Sequence, residues 1–206
     1  MPIPVQPTDV PLRCPRCWFP GQFVPYAALT WRCSRCEWPF TLGAPSLASP
    51  PAVPASTVAA ANTTGTAVKV TISGGTSVTT VTVTGASGLG GSGDGTYYVP
   101  AGGTIAVTYS GAPTWAWALP AINAGVSAGG TSLPFATPAG SAFSQGQVLI
   151  VDPSGTSDVV VVNGTPTATS VPVNALNYTH LTGVTVTVAQ LTSALNSVEN
   201  VPVTAY

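Results

Sequence analysis

The stretch "VKVTISGGTSVTTVTVTG", Val68 to Gly85, decides how the larger part of this chain folds. Its apolar residues recur at every second position. Val68, Val70 and Ile72 fall on one side of an extended strand, with Lys69 and Thr71 on the other, and Val81 and Val83 repeat the alternation after a break at "SGG". A period of two with β-branched residues and glycine punctuation specifies half-buried strands. The same grammar continues through "TYYVP", "TIAVTY" and "TWAWAL", with Gly-rich turns at "GGSGDG" and "AGG". The run "GLGGSGDG", Gly88 to Gly95, has neither the lysine nor the helix that a phosphate loop needs, and it reads as a hairpin loop leading into the strand at Tyr97.

From about Leu119 a second strand-rich region begins. "TSLPF", "QVLIVD", "SDVVVVNG", "TSVPV" and "GVTVTV" are its strands, and "DPSGTS" and "NGTP" supply its turns. Val159 to Val162 is apolar on both faces and is expected to be a central strand. Only "VAQLTSALNSVEN" offers a helical turn, through Val188, Leu191, Leu195 and Val198.

The N-terminal quarter is written differently. Cys14-Pro15-Arg16-Cys17 and Cys33-Ser34-Arg35-Cys36 are the chain's four cysteines, in two C-x-x-C pairs whose spacing suits one tetrahedral zinc held by Cys14, Cys17, Cys33 and Cys36. Disulfides fit less well: cysteines this close make strained pairs, and Met1 is not followed by the basic and apolar regions of a secretory signal. Four thiolates close the coordination shell, so the zinc is expected to be structural.

Arg13, Arg16, Arg32 and Arg35 bracket the two pairs and can offset the excess negative charge of a zinc tetrathiolate. The competing role, nucleic-acid binding with help from stackable aromatics, is disfavoured because so few cations stand against Asp9 and Glu37. Trp18, Phe19, Phe23, Tyr26, Trp31, Trp38 and Phe40 give this short segment more aromatic surface than it can bury alone. Some of that surface is expected to face a partner.

Composition bounds the whole. The chain has 206 residues, five Lys and Arg, six Asp and Glu and a net charge of −1, so nothing steers it towards polyanions or membranes. No apolar run reaches the roughly 18 residues that a spanning helix requires. With so little charge to hold it in solution, a surface largely covered by partners is its natural state. The expected organisation is an extended Pro-rich arm (1–12), a zinc ribbon (13–42), a Pro/Ala/Ser linker (43–62), and two β-modules (63–118 and 119–206). The fold class is thus all-β: a small zinc ribbon followed by two compact antiparallel sandwich- or barrel-like modules.

Catalytic constellations are not apparent. His180 is the only histidine, the acids are scattered, and no serine nucleophile motif accompanies them, so His180 is expected to be a hydrogen-bonding structural residue and the chain not to be an enzyme. Asp152 and Asp158 flank one turn, but two carboxylates are few for a calcium site.

One pattern is familiar. Gly129 with Leu133, Gly146 with Asp152, Asp158 before Val159 to Val162, and the closing Leu176, His180, Gly183 and Val186 resemble a small β-module that recurs in structural proteins of tailed bacteriophages. The preceding Gly/Thr-rich stretch is similar to virion modules of phages that infect actinobacteria. The resemblance implies a minor capsid or head-decoration protein, assembled in the host cytoplasm and located in the virion. Its partners would be the major capsid protein and other copies of itself, with no membrane role. The same resemblance also fits a tail or fibre component that meets host sugars through Trp115 and Trp117. A zinc-ribbon protein that binds nucleic acid is the alternative of another class.

Overall fold

The structure is a computed structural model that describes residues 23–27, 30–33, 35–36, 39–44, 47 and 49–194; for the strands within 23–43 and for 191–194 the description is of the backbone. The expected arm at 1–12 lies outside the described residues. The described chain is all-β, in five small sheets whose strand pairs are all antiparallel. No described helix is long and apolar enough to cross a membrane. The described residues fall into two compact units, one of residues 44–189 and the other of residues 23–43 with 190–194.

In the smaller unit, strands β1 (Phe23–Ala27), β2 (Thr30–Cys33) and β3 (Pro39–Gly43) form a meander. The prolines are where a sheet tolerates them. Pro25 is on the edge strand, next to a register shift, and Pro39 is the first residue of β3.

The larger unit opens with β4 (Ala59–Ala61), β5 (Val68–Ser73), β6 (Thr80–Val83), β7 (Gly95–Val99), β8 (Thr104–Thr108) and β9 (Thr114–Ala118). They make two three-stranded sheets, β4-β8-β6 and β7-β5-β9. Alternation aims Val68, Val70 and Ile72 of β5 inward, where they meet Val81, Tyr97, Val99, Ile105 and Val107 in one core. The glycine run 88–95 is a loop, but not of a hairpin: β6 and β7 belong to different sheets, so it carries the chain from one to the other. Gly91 on the way exchanges both backbone hydrogen bonds with Val81.

The stretch read as a linker is built into this unit. Its residues 59–61 are β4, and Asn62 is 1 % exposed. The Asn62 Nδ2 donates towards the carbonyls of Thr66, Val99 and Pro100 at 2.7, 3.0 and 2.9 Å, while its Oδ1 accepts from Thr64 N and Oγ1. A side chain with both donor and acceptor is what such a junction of strand ends requires.

Strands β10 (Ser132–Pro134), β11 (Val148–Val151), β12 (Asp158–Val161), β13 (Ser170–Pro172) and β14 (Val186–Val188) follow, with a 3-10 turn at Ala139–Ala142. The sheets are β12-β11-β14 and β10-β13. The strand buried on both faces is β11, whose Leu149, Ile150 and Val151 have no exposure, and not the valine run. β12 is an edge strand: Val160 and Val162 face the core, and Val161 is 44 % exposed. Four valines in a row conceal their own alternation. Asn174 covers this edge, its Oδ1 accepting from Val161 N and its own N–H donating to Val161 O.

Ala67, Leu89 and Tyr98 from the first set of strands belong to the same core as Leu133, Phe135, Leu149 and Val171. Thr66 Oγ1 also accepts from Val188 N at 2.8 Å. The two strand sets therefore share apolar packing.

The last element corrects the expected helical turn. Gln190–Ala194 is strand β15, paired antiparallel with β3. Thr192 and Ser193 weaken a helix, and the edge of β3 offers a ladder that a single helical turn cannot match.

Candidate functional site

Two places in the sequence carried chemistry, the cysteine pairs and the Asp158–His180 region. Cys14 and Cys17 lie outside the described residues, as do the side chains of Arg13, Arg16 and Arg32. Cys33 is the last residue of β2, and Cys36 lies half-buried in the turn before β3. The second C-x-x-C thus runs from the end of β2 into the turn before β3. No group of three or more metal-ligating side chains occurs among the described residues.

Asp158 opens β12, opposite Val151. Its carboxylate turns inward, at 1 % exposure, and accepts from four groups: Asn177 N, Asn177 Nδ2, Tyr178 N and His180 Nε2. Burial pushes the carboxyl up, but the N–H of Tyr178, the His180 ring and the two Asn177 donors together outweigh it and hold the group below its ordinary value. His180 is 2 % exposed, and its Nε2 stands 3.0 Å from Asp158 Oδ2. The acceptor on that side places the proton on Nε2. Nδ1, equally buried, has no hydrogen-bond partner. The backbone of His180 is fixed too, exchanging hydrogen bonds with Val126.

This arrangement is a clasp. It ties the start of β12 to the 176–180 loop, and it has neither a nucleophile at Nδ1 nor solvent access. His180 is thus the hydrogen-bonding residue expected. What the sequence reading missed is its partner, because Asp158 and His180 are 22 residues apart and only folding brings them together. Asp152 does not share a site with Asp158. It occupies the β11–β12 turn at a φ of 56°, and its carbonyl accepts from Gly155 N and Ser157 Oγ.

Trp115 and Trp117, the candidate sugar contacts, are half-buried against the first core. The Trp115 indole N–H is engaged by Pro51 O at 2.8 Å. A shallow cleft runs along the seam between the two strand sets, lined by Ser87, Ser141, Phe143, Ser144, Gln145 and Thr165. Its polar groups are hydroxyls and one amide, none of which titrates near neutrality.

Compared with family models, with curated proteins and with solved structures, the chain matches none of them.

Proposed function

We propose that this chain is a non-catalytic structural protein of a tailed-phage virion, a minor capsid or decoration protein that binds the head shell. One observation carries the reading. The residues that resemble the virion β-module all have architectural roles here. Leu133, Leu176 and Val186 are core residues, and Gly129, Gly146 and Gly183 take φ values of 82°, 86° and 90°, where a side chain would be strained. Asp152 shapes a turn, and Asp158 and His180 form the clasp. A pattern made of turns, core and clasp specifies a rigid covering module and leaves the surface free to vary with the partner.

On this reading the four cysteines hold one structural zinc, and the arm and ribbon, residues 1–42, anchor the chain to a shell subunit while the β-modules lie over neighbouring copies. The hairpin setting of Cys33 and Cys36 supports the ribbon. The tail-fibre reading has less support because, of the two indoles it relies on, that of Trp115 is engaged by Pro51 O and the N–H of Trp117 is buried.

The test is a particle gel with quantified bands. A head protein is present in a fixed ratio to the major capsid protein and is lost when residues 1–42 are deleted. A copy number of a few per particle, or normal occupancy after the deletion, overturns the reading.

A further inference from the structure

The aromatic residues at the β8–β9 junction hold the Pro-rich segment in a specific way. Tyr109 follows β8, and Trp115 and Trp117 project from the same face of β9, their rings meeting edge to face at a centroid distance of 5.8 Å. "SPPAVPAS", residues 49–56, meets Tyr109 and Trp115. Pro50, Pro51 and Pro54 fix their own φ near −65°, and each proline drives the residue before it out of the helical region, so this segment favours the polyproline II conformation. That helix has three residues per turn, which turns the carbonyls of Pro51 and Pro54 to the same side, about 9 Å apart.

Those two carbonyls are the ones engaged. Trp115 Nε1–H donates to Pro51 O at 2.8 Å, and Tyr109 O–H donates to Pro54 O at 2.7 Å. Tyr109 N–H adds a bond to Ser56 Oγ at 2.9 Å, and Leu47 packs against the core beside them. A further donor is left over: Trp117 Nε1 is buried without a partner. An aromatic face with indole and phenol donors at the repeat of a polyproline helix is the chemistry by which proteins read proline-rich peptides.

We propose that Tyr109 and Trp115, with the Trp117 ring braced against Trp115, form a polyproline-reading surface, and that residues 50–56 of the same chain are its resident ligand, bound in cis. The inference concerns a binding site and is independent of the capsid reading.

The experiment uses the full chain carrying Pro51→Gly and Pro54→Gly, which keeps both carbonyls but removes the preorganised conformation. A labelled peptide of sequence LASPPAVPAST is titrated by fluorescence anisotropy, and the Trp115 indole resonance, identified from Trp115→Phe, is followed by NMR. The loosened chain should bind the peptide and shift that resonance. The native chain should bind about tenfold more weakly or worse, because its own segment competes at high effective concentration. Adding Trp115→Phe to the loosened chain removes one hydrogen bond and should weaken binding about fivefold. A peptide with glycine at the three proline positions should not bind.

Absence of binding by the loosened chain, equal binding of the glycine peptide, or no effect of Trp115→Phe overturns the proposal. If the loosened chain fails to fold, Tyr109→Phe with Trp115→Phe in the native background decides. Hydrogen exchange at Thr57 N–H, which is bonded to Val107 O, should then accelerate, and unchanged exchange overturns the proposal.

Discussion

His180 Nε2 lies 3.0 Å from Asp158 Oδ2, with both side chains all but removed from solvent. The bond joins the first residue of β12 to a loop on the far side of β13 in sequence, so it closes the second strand set much as a latch would. Breaking a buried pair from one side leaves the other group unpaired. Asp158→Ala should therefore lower unfolding stability by about 3–5 kcal/mol, measured by urea denaturation, with Asp158→Asn less severe.

The same carboxyl gives the protein an acid limb. Its folded value is depressed below the ordinary 3.8, so its stabilisation is complete above that pH and is lost as pH falls through the folded value. Urea midpoints of the native chain should fall below about pH 4, and Asp158→Asn should flatten that part of the profile. An identical acid limb in the variant would assign it to other groups.

Asn62 gathers the ends of β4, β5 and β7. Asn62→Ala removes the Nδ2 donor shared by three carbonyls, of which Thr66 O keeps Thr64 Oγ1 and Pro100 O keeps Gly103 N, and should cost about 1–3 kcal/mol, whereas Asn62→Asp places a carboxylate against them and should cost more. Thermal melts of the two variants, ranked against the native chain, check the order.

Gly140 has no room for a methyl group. A Cβ there would sit 2.2 Å from Thr167 O, a backbone atom that cannot turn aside. Gly140→Ala should therefore lower stability by about 1–3 kcal/mol through overpacking, measured as the shift in denaturation midpoint.

Metal should act at a distance in sequence. One zinc per chain is expected by elemental analysis, and its removal by a chelator should loosen the sheet that contains β2 and β3. Because β15 pairs with β3, hydrogen exchange at residues 190–194 should accelerate with it, while Leu149 to Val151 in the larger core stays protected. Unchanged exchange in β15 would show that the sheet does not depend on the metal.

Strand identity was legible wherever one face is wet. β5 reads Val-Lys-Val-Thr-Ile and its burial alternates with it, and the ten strands β5 to β14 all fall within or overlap stretches read as strands, although β11 and β12 are continuous apolar runs. Pairing was not legible. Nothing local in Gly88 to Gly95 tells a hairpin from a crossing between sheets, and nothing in Val159 to Val162 tells an edge from a centre, because both depend on neighbours distant in sequence. The same holds for the clasp, since neither Asp158 nor His180 names its partner. The proline-rich stretch misled for another reason. Prolines exclude a central strand, but they also prepare a ligand for Tyr109 and Trp115, which sequence spacing cannot reveal.

The pairing of β3 with β15 carries a consequence for synthesis. β3 ends at Gly43, and its fourth-strand partner begins only at Gln190. On a ribosome adding about 5–20 residues per second, that edge waits on the order of ten seconds for its neighbour, long enough for the intervening strands to fold first. Throughout that interval the outer edge of β3 has no β15 to pair with, and once β15 emerges its tether to the same chain gives it the advantage over that of any other copy. The order of synthesis therefore makes β15 the last strand of its sheet to become available, and that sheet closes only after the residues between have been made.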